Sequence, residues 1–186
     1  SRMYPIYVDE PDIAPAQMKS PGFSGMRNRS IVLAGIPVAE MAQGNDPLFK
    51  PVFVSGNPQE AYAMLESTRS LLIPDTFART VGLKAGDDLM LVNPAQQERR
   101  SGNVPASGVP GRGTGPGMKG EPWKVAGVVS FPGWHWLTKT SGMRVRRGGF
   151  VAALAIADER WLKEDYGHQG FQFIWGNTAP GVSNVE

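Results

Sequence analysis

Cysteine is absent from this chain of 186 residues, and histidine occurs only twice. The absence of cysteine excludes thiol catalysis, thiolate metal sites and disulfide bonds. The two histidines, His135 and His168, lie far apart in sequence, and neither belongs to an HExxH or His-x-His motif. A histidine-rich metal site is therefore not expected, and we predict a protein without a metal or other cofactor.

Long apolar runs are also missing. No segment approaches the roughly 18 to 20 residues that a helix needs to cross a bilayer, and the opening sequence SRMYPIYVDEP lacks the basic region and apolar core of a signal peptide. Both absences are equally expected of a domain excised from between two membrane spans and of a cytoplasmic protein. The net charge of +2 is too small to indicate nucleic-acid binding by itself.

The most regular part of the sequence runs from Gly56 to Leu91. Asn57 is placed to cap a helix that starts at Pro58, and Glu60 completes a capping box three residues after the cap. Apolar residues recur in this helix at i, i+3 and i+4, which predicts one buried face. They are Ala61, Met64 and Leu65.

A strand, a second helix and a further strand follow. The apolar run from Leu71 to Ile73 predicts a buried strand. Asp75 is the predicted N-cap of the next helix, and Gly82 stands where a left-handed C-cap is required. Residues 84–87 then form a tight turn into a strand over 88–92.

The segment 95–120 is rich in glycine and proline and contains few large apolar residues. It cannot bury enough surface to offset the entropy of ordering it, so we expect a flexible loop. We also expect the strands on either side, 89–92 and 123–129, to pair. The spacing of the glycines does not match a phosphate-binding loop.

Aromatic and basic residues gather after this region, and two interpretations stay open. Tryptophans and arginines close together indicate a contact surface for a partner, a lipid headgroup or an apolar ligand. Alternation of aromatic residues equally fits a half-buried strand, and the basic positions fit a solvated loop tip. The candidate contact residues are Phe131, Trp134, Trp136, Arg144 and Arg146.

Catalytic groups are not evident in the sequence. Asp87 and Asp88 are adjacent, so on a strand they point to opposite faces and cannot share a proton as a dyad. Their expected role is turn formation. We therefore predict that the protein is not an enzyme.

The regular segment resembles a known family. A "Gly-x-Pro" helix, a short strand, a helix ending in Gly-Leu and a Gly-Asp-x-Leu-x-Leu strand are similar to the extracytoplasmic core domain of FtsX-like and MacB-like ABC transporter permeases. Upstream and downstream strands resemble the rest of that domain. The matching residues are Gly56, Pro58, Glu60, Ala61, Leu65, Ala78, Gly82, Leu83, Gly86, Asp87, Leu89 and Leu91.

This resemblance implies an α+β fold with a mixed sheet and short helices. It also implies one domain over 1–186, or two subdomains: a mostly β part over about 88–149 and an α/β part over about 30–87 and 150–186. Such a domain is extracytoplasmic and non-catalytic. It contacts a transported substrate or a partner protein and relays conformational change driven by a cytoplasmic ABC ATPase. In the full-length permease it is tethered to the membrane, and nucleic acid is not among its partners.

A second resemblance belongs to another class of protein. The pattern of Ile73, Pro74, Gly82, Leu83, Gly86 and Asp87 is also similar to AbrB-type swapped-hairpin barrels and to double-psi β-barrels. Those modules bind DNA or a cofactor. AbrB-type modules are much shorter than this chain, so we place this alternative second.

A DNA-binding titration separates the two resemblances. We expect no salt-dependent binding of duplex DNA by the protein, and hence no effect of the double substitution Arg144→Ala with Arg146→Ala. Binding that weakens steeply with salt and is lost in the double variant would instead support the AbrB-type alternative, because phosphate contacts release counterions.

Overall fold

A computed structural model describes residues 2–26, 29–42, 49–93, 120–130 and 152–176. Within these residues, nine strands form one sheet and short helices cover it. The strands are β1 Met3–Asp9, β2 Asp12–Ile13, β3 Val32–Ile36, β4 Val52–Ser55, β5 Ser70–Pro74, β6 Asp88–Val92, β7 Glu121–Ser130, β8 Leu154–Asp158 and β9 Phe173–Gly176. The helices are α1 Val38–Met41, α2 Pro58–Ser67, α3 Asp75–Val81 and α4 Glu159–Tyr166, with a 3-10 turn at Gln17–Lys19.

The strand order across the sheet is β2-β6-β7-β5-β8-β3-β1-β9, and β4 pairs with β7 beside this path. The pairs β3–β8 and β5–β7 are parallel, and the remaining pairs are antiparallel. The predicted α+β fold with a mixed sheet and short helices is confirmed. The expected pairing of β6 with β7 is also found, with Leu89 opposite Trp123.

Each face of the sheet carries its own apolar core. Successive residues of β5 alternate between the two cores, because side chains on a strand point to opposite faces. Leu71 and Ile73 pack with Phe77 of α3 and Leu162 of α4. Leu72 packs on the other face with residues of α1 and α2, including Met41, Ala61 and Leu65.

The predicted ends of α2 and α3 can be compared with the structure. Asn57 caps α2, since its Oδ1 accepts hydrogen bonds from the backbone N–H groups of Gln59 at 2.9 Å and Glu60 at 3.3 Å. Gly82 ends α3 in the left-handed conformation with φ of 75°. The assignment of Asp75 as N-cap is wrong. Pro74 occupies the N-cap position, and no side chain there accepts a capping hydrogen bond. Asp75 is already helical, and its Oδ2 pairs with Nη2 of Arg79 at 2.8 Å.

The predicted buried face of α2 is confirmed: Ala61 and Leu65 are buried, and the half-buried Met64 packs against the same core. The expected loop over 95–120 lies outside the described residues except for Gly120, and its flexibility and the subdomain boundaries stay predictions.

Alanine substitutions at two glycines test the left-handed C-cap of α3. A Cβ added at Gly82 meets no atom within 4 Å, so Gly82→Ala introduces backbone strain and no clash. We expect a loss of about 1 to 2 kcal/mol in the free energy of unfolding, measured with urea. Gly25→Ala is the matched control, because its Cβ also meets nothing within 4 Å and its φ is not positive. Equal urea midpoints for the two variants would contradict this account.

Candidate functional site

The candidate contact residues all lie outside the described residues. Phe131, Trp134, Trp136, Arg144 and Arg146 belong to the segment 131–151, as does His135. Their role in contacting a substrate or partner therefore stays a prediction. The strands on either side nevertheless define where this segment leaves the sheet and where it returns.

The segment 131–151 leaves and rejoins one end of the sheet. β5 lies between β7 and β8, with Pro74 opposite Val129 in the parallel pair and Leu72 opposite Ile156 in the antiparallel pair. Pro74 at the end of β5 is therefore level with both the end of β7 and the start of β8. We call this the upper end of the sheet.

The first and last described strands meet at the opposite end. β1 is antiparallel to β3, with Asp9 opposite Leu33, so β1 starts at the lower end of the sheet and rises. β9 runs down beside it and finishes with Gly176 opposite Met3. The start of β1 and the end of β9 thus lie side by side, at the end of the sheet opposite to the end of β7 and the start of β8.

A cluster of polar side chains joins α4 to the sheet. Arg69, just before β5, donates a bidentate pair of hydrogen bonds to Asp165, with the Nε–Oδ2 bond at 2.6 Å. Its Nη1 lies 3.7 Å from Glu121 Oε2, and its guanidinium lies 6.0 Å from the ring centroid of Trp123. The hydrogen bond to Asp165 is the main cause that raises the pKa of Arg69 above its usual value.

Tyr166 at the end of α4 lies in the field of three carboxylates. Burial is the first cause that raises its pKa well above the usual 10.0, and the negative charges of Asp9, Asp165 and Glu121 add to it. The positive charge of Arg69 opposes them only in part. The phenol therefore stays protonated throughout the physiological range.

His168 completes this cluster on the side of β1. Its ring stacks on Tyr166 with centroids 6.4 Å apart, and its Nε2 lies 3.3 Å from Asp9 Oδ2. Its Nδ1 lies 3.0 Å from Nε2 of Gln172. A histidine beside an aspartate is a frequent catalytic pair, but here both ring nitrogens face protein groups, so this arrangement does not present a general base to a substrate.

Sequence reasoning missed this polar cluster, which consists of Asp9, Arg69, Glu121, Asp165, Tyr166 and His168. Arg69 and Asp165 are 96 residues apart, so no local motif joins them. The only signal in the sequence was the isolated His168, which carries no partner information by itself. In the described ranges, no group of three or more histidines or acidic residues is arranged to hold a metal ion.

Several large apolar side chains are exposed near the two ends of the sheet. On β4, Val52 and Val54 are 61% and 59% exposed, whereas Phe53 turns inward against Tyr62. At the lower end, Met3 and Ile174 are exposed on neighbouring strands. None of the helices in the described part combines the length and apolar character that membrane crossing requires.

Comparison with known proteins found matches among solved structures alone. No protein-family model matches the chain, and no curated protein is similar to it. Among solved structures, the extracellular domain of the noncanonic ABC-type transporter YknZ from Gram-positive bacteria has a TM-score of 0.46 and 12% sequence identity. The similarity covers 94% of this chain and 63% of that one, so the chain spans less than two thirds of its length. A similarity at this level does not assign a function.

Alkaline titration tests the position of Tyr166. The unfolded chain loses the phenolic proton near pH 10, whereas the folded chain retains it, so folding stability is present below pH 10 and falls as the pH rises further. One such group contributes a slope of at most about 1.4 kcal/mol per pH unit. We expect Tyr166→Phe to remove part of the wild-type slope between pH 10 and 11, measured by urea denaturation.

Tyr62 provides the control, since burial alone raises its pKa and to a smaller extent. Tyr62→Phe should therefore change the slope less than Tyr166→Phe does. The interpretation fails if wild type and Tyr166→Phe lose stability in parallel above pH 10.

Proposed function

We propose that the chain is a non-catalytic extracytoplasmic domain of an ABC transporter permease of the FtsX-like or MacB-like type. The observation that carries this proposal is the pairing of β1 with β9, in which Met3 lies opposite Gly176. A domain inserted between two transmembrane helices must receive and return the chain at neighbouring points. The lower end of this sheet provides that arrangement.

The local geometry of the resemblance motif supports the proposal. Three of its glycines, Gly56, Gly82 and Gly86, have positive φ values of 97°, 75° and 93°. These are conformations that glycine adopts without strain. Asp87 accepts a hydrogen bond from the backbone N–H of Lys84 at 2.8 Å, which closes the turn before β6. The motif thus consists of backbone requirements at its turns, as expected of a scaffold.

The two ends of the sheet suggest a division of labour in this proposal. The lower end is the tether to the membrane-spanning part of the permease. The upper end carries the segment with Phe131, Trp134, Trp136, Arg144 and Arg146, which contacts a transported substrate or an extracytoplasmic partner. A cytoplasmic ABC ATPase drives the full-length permease, and ATP binds there and not to this domain.

Transmission between the ends follows from the strand pairing. β1 pairs with β3, and β3 pairs with β8, whose residues are all buried. A displacement of the lower end therefore moves the packed strands, and with them the upper end, as a rigid body. Rigid-body motion is one of the common modes of conformational change.

The AbrB-type and double-psi alternative implies a small closed barrel. The strands in the described ranges instead follow a path with β2 at one end and β9 at the other. This order favours the permease proposal. The alternative therefore has no support in the described geometry beyond the turn that both patterns share.

Cysteine labelling tests the proposed location, and the absence of natural cysteine from this chain makes it clean. In the full-length protein, we expect Val54→Cys to react with a membrane-impermeant maleimide on cells or spheroplasts whose cytoplasmic membrane is intact. Val54 is 59% exposed, so the thiol is accessible to the reagent.

Ser70→Cys is the matched control, because Ser70 is fully buried and the substitution is close to isosteric. It should react only after denaturation, and the unsubstituted full-length protein measures the background. Labelling of Val54→Cys only after the cytoplasmic membrane is permeabilised would place the domain inside the cell and reject the proposal.

A further inference from the structure

One glutamine side chain fastens the start of β9 to β1. Oε1 of Gln172 accepts a hydrogen bond from the backbone N–H of Val8 at 2.9 Å. The backbone N–H of Gln172 donates to the carbonyl of Ile6 at 3.1 Å. Its side-chain nitrogen lies 3.0 Å from Nδ1 of His168. The amide of Gln172 is therefore held between the backbone of β1 and the imidazole ring.

The donors and acceptors of this arrangement determine the tautomer of the neutral His168 ring. A backbone N–H can only donate, so Val8 requires the oxygen of the Gln172 amide. The amide NH₂ group must then face His168, and NH₂ can only donate. Nδ1 of His168 is therefore an unprotonated acceptor. The neutral ring carries its proton on Nε2.

Nε2 faces a carboxylate without a regular hydrogen bond. It is buried and makes no hydrogen bond with any residue in the described ranges, although Asp9 Oδ2 lies 3.3 Å away, within ion-pair distance. This contact can persist whether the ring is neutral or positively charged, because Nε2 carries a proton in both states. The contact with Gln172, by contrast, requires a neutral ring with Nδ1 unprotonated.

The other groups around the ring do not remove this difference. Tyr7 of β1 lies with its ring centroid 6.2 Å from that of His168, and Tyr166 of α4 stacks on the other side at 6.4 Å. The ammonium of Lys163 lies 4.6 Å from the ring of Tyr7, but it is paired with Glu159 at 2.8 Å. Among these described groups, Asp9 is the charged group in direct contact with the ring.

We propose that His168, Gln172 and Asp9 form a pH-sensitive clasp that fastens β9 to β1 at neutral pH and opens on acidification. Histidine takes up its second proton between about pH 8 and 5. That proton occupies Nδ1, so the Nδ1–H group of His168 and the NH₂ group of Gln172 are then two donors that face each other. The Gln172 amide cannot turn round to accept it, because its nitrogen would then face the N–H of Val8.

Opening of the clasp affects one edge of the sheet. β9 is the last strand of the described order, and β1 is its only partner there. Loss of the Gln172 contacts therefore loosens the start of β9, while the charged His168 stays beside Asp9. The clasp goes beyond the proposed function and does not depend on it, since it requires only the geometry of β1, β9 and the loop between α4 and β9.

Hydrogen exchange measured by NMR on the intact chain tests the clasp. Each protection factor is corrected for the intrinsic pH dependence of exchange. We expect the protection of the Val8 amide to fall roughly five- to tenfold between pH 8 and pH 5, as for the loss of one ordinary hydrogen bond. The amide of Val32, which donates to the carbonyl of Ala153 at 2.8 Å, is the internal control and should not change.

Two variants separate the clasp from general acid destabilisation. His168→Asn supplies an acceptor that does not titrate, so the Val8 amide should stay protected at both pH values. Gln172→Met removes both contacts at similar size, so that amide should be weakly protected at both.

The ring itself gives an independent readout in wild type. Nitrogen chemical shifts at pH 8 should show the proton of His168 on Nε2. The proposal is overturned if the proton is on Nδ1, if Val8 protection is the same at pH 8 and 5, or if its fall persists in His168→Asn.

Discussion

The pairing of β3 with β8 is the interaction on which the rest of the fold depends. These two parallel strands come from positions more than a hundred residues apart and pair along five residues each. Every residue in both strands is buried, because helices and neighbouring strands cover both faces of the sheet. β8 also contacts β5, so the two halves of the chain meet here. Without this pair, β1 and β9 have no sheet to join.

A sheet with this central pair brings β1 and β9 to one end and the strands that flank the segment 131–151 to the other. Parallel β3 and β8 run downward, and β1 and β9 extend the sheet on one side so that the chain enters and leaves at the lower end. On the other side, β5 and β7 run upward together, and the segment 131–151 starts from the upper end. Strand direction thus puts the start of β1 and the end of β9 at one end of the sheet, and the end of β7 and the start of β8 at the other.

Structure could be predicted from the sequence where the determining interactions are local. Asn57, Gly82 and Asp87 act on backbone groups within four residues of themselves, so their roles follow from spacing. Asp75 shows the limit of this reasoning, because a helix start preceded by proline can lack a side-chain cap. Strand order was not predictable in the same way. The parallel partner of β3 is decided by burial across the whole chain, which no window of sequence contains.

The polar cluster was unpredictable for a related reason. Arg69 precedes β5 and Asp165 lies in the last turn of α4, so they meet only after β5, β8 and α4 are assembled. The candidate contact residues were found by composition, since tryptophans and arginines are conspicuous in a short segment. Composition identifies residue types that bind well but gives no information on which surface they form. Their role is therefore still a prediction.

Asp9 contacts two other members of the polar cluster. Its negative charge is one of the causes that raise the pKa of Tyr166, and the same carboxylate faces the buried Nε2 of His168 at 3.3 Å. One side chain at the end of β1 therefore opposes a further negative charge on α4 and lies beside the ring on which the proposed clasp depends. Replacement of Asp9 by asparagine removes its charge from both contacts at once, so the two neighbouring groups are coupled through a single carboxylate.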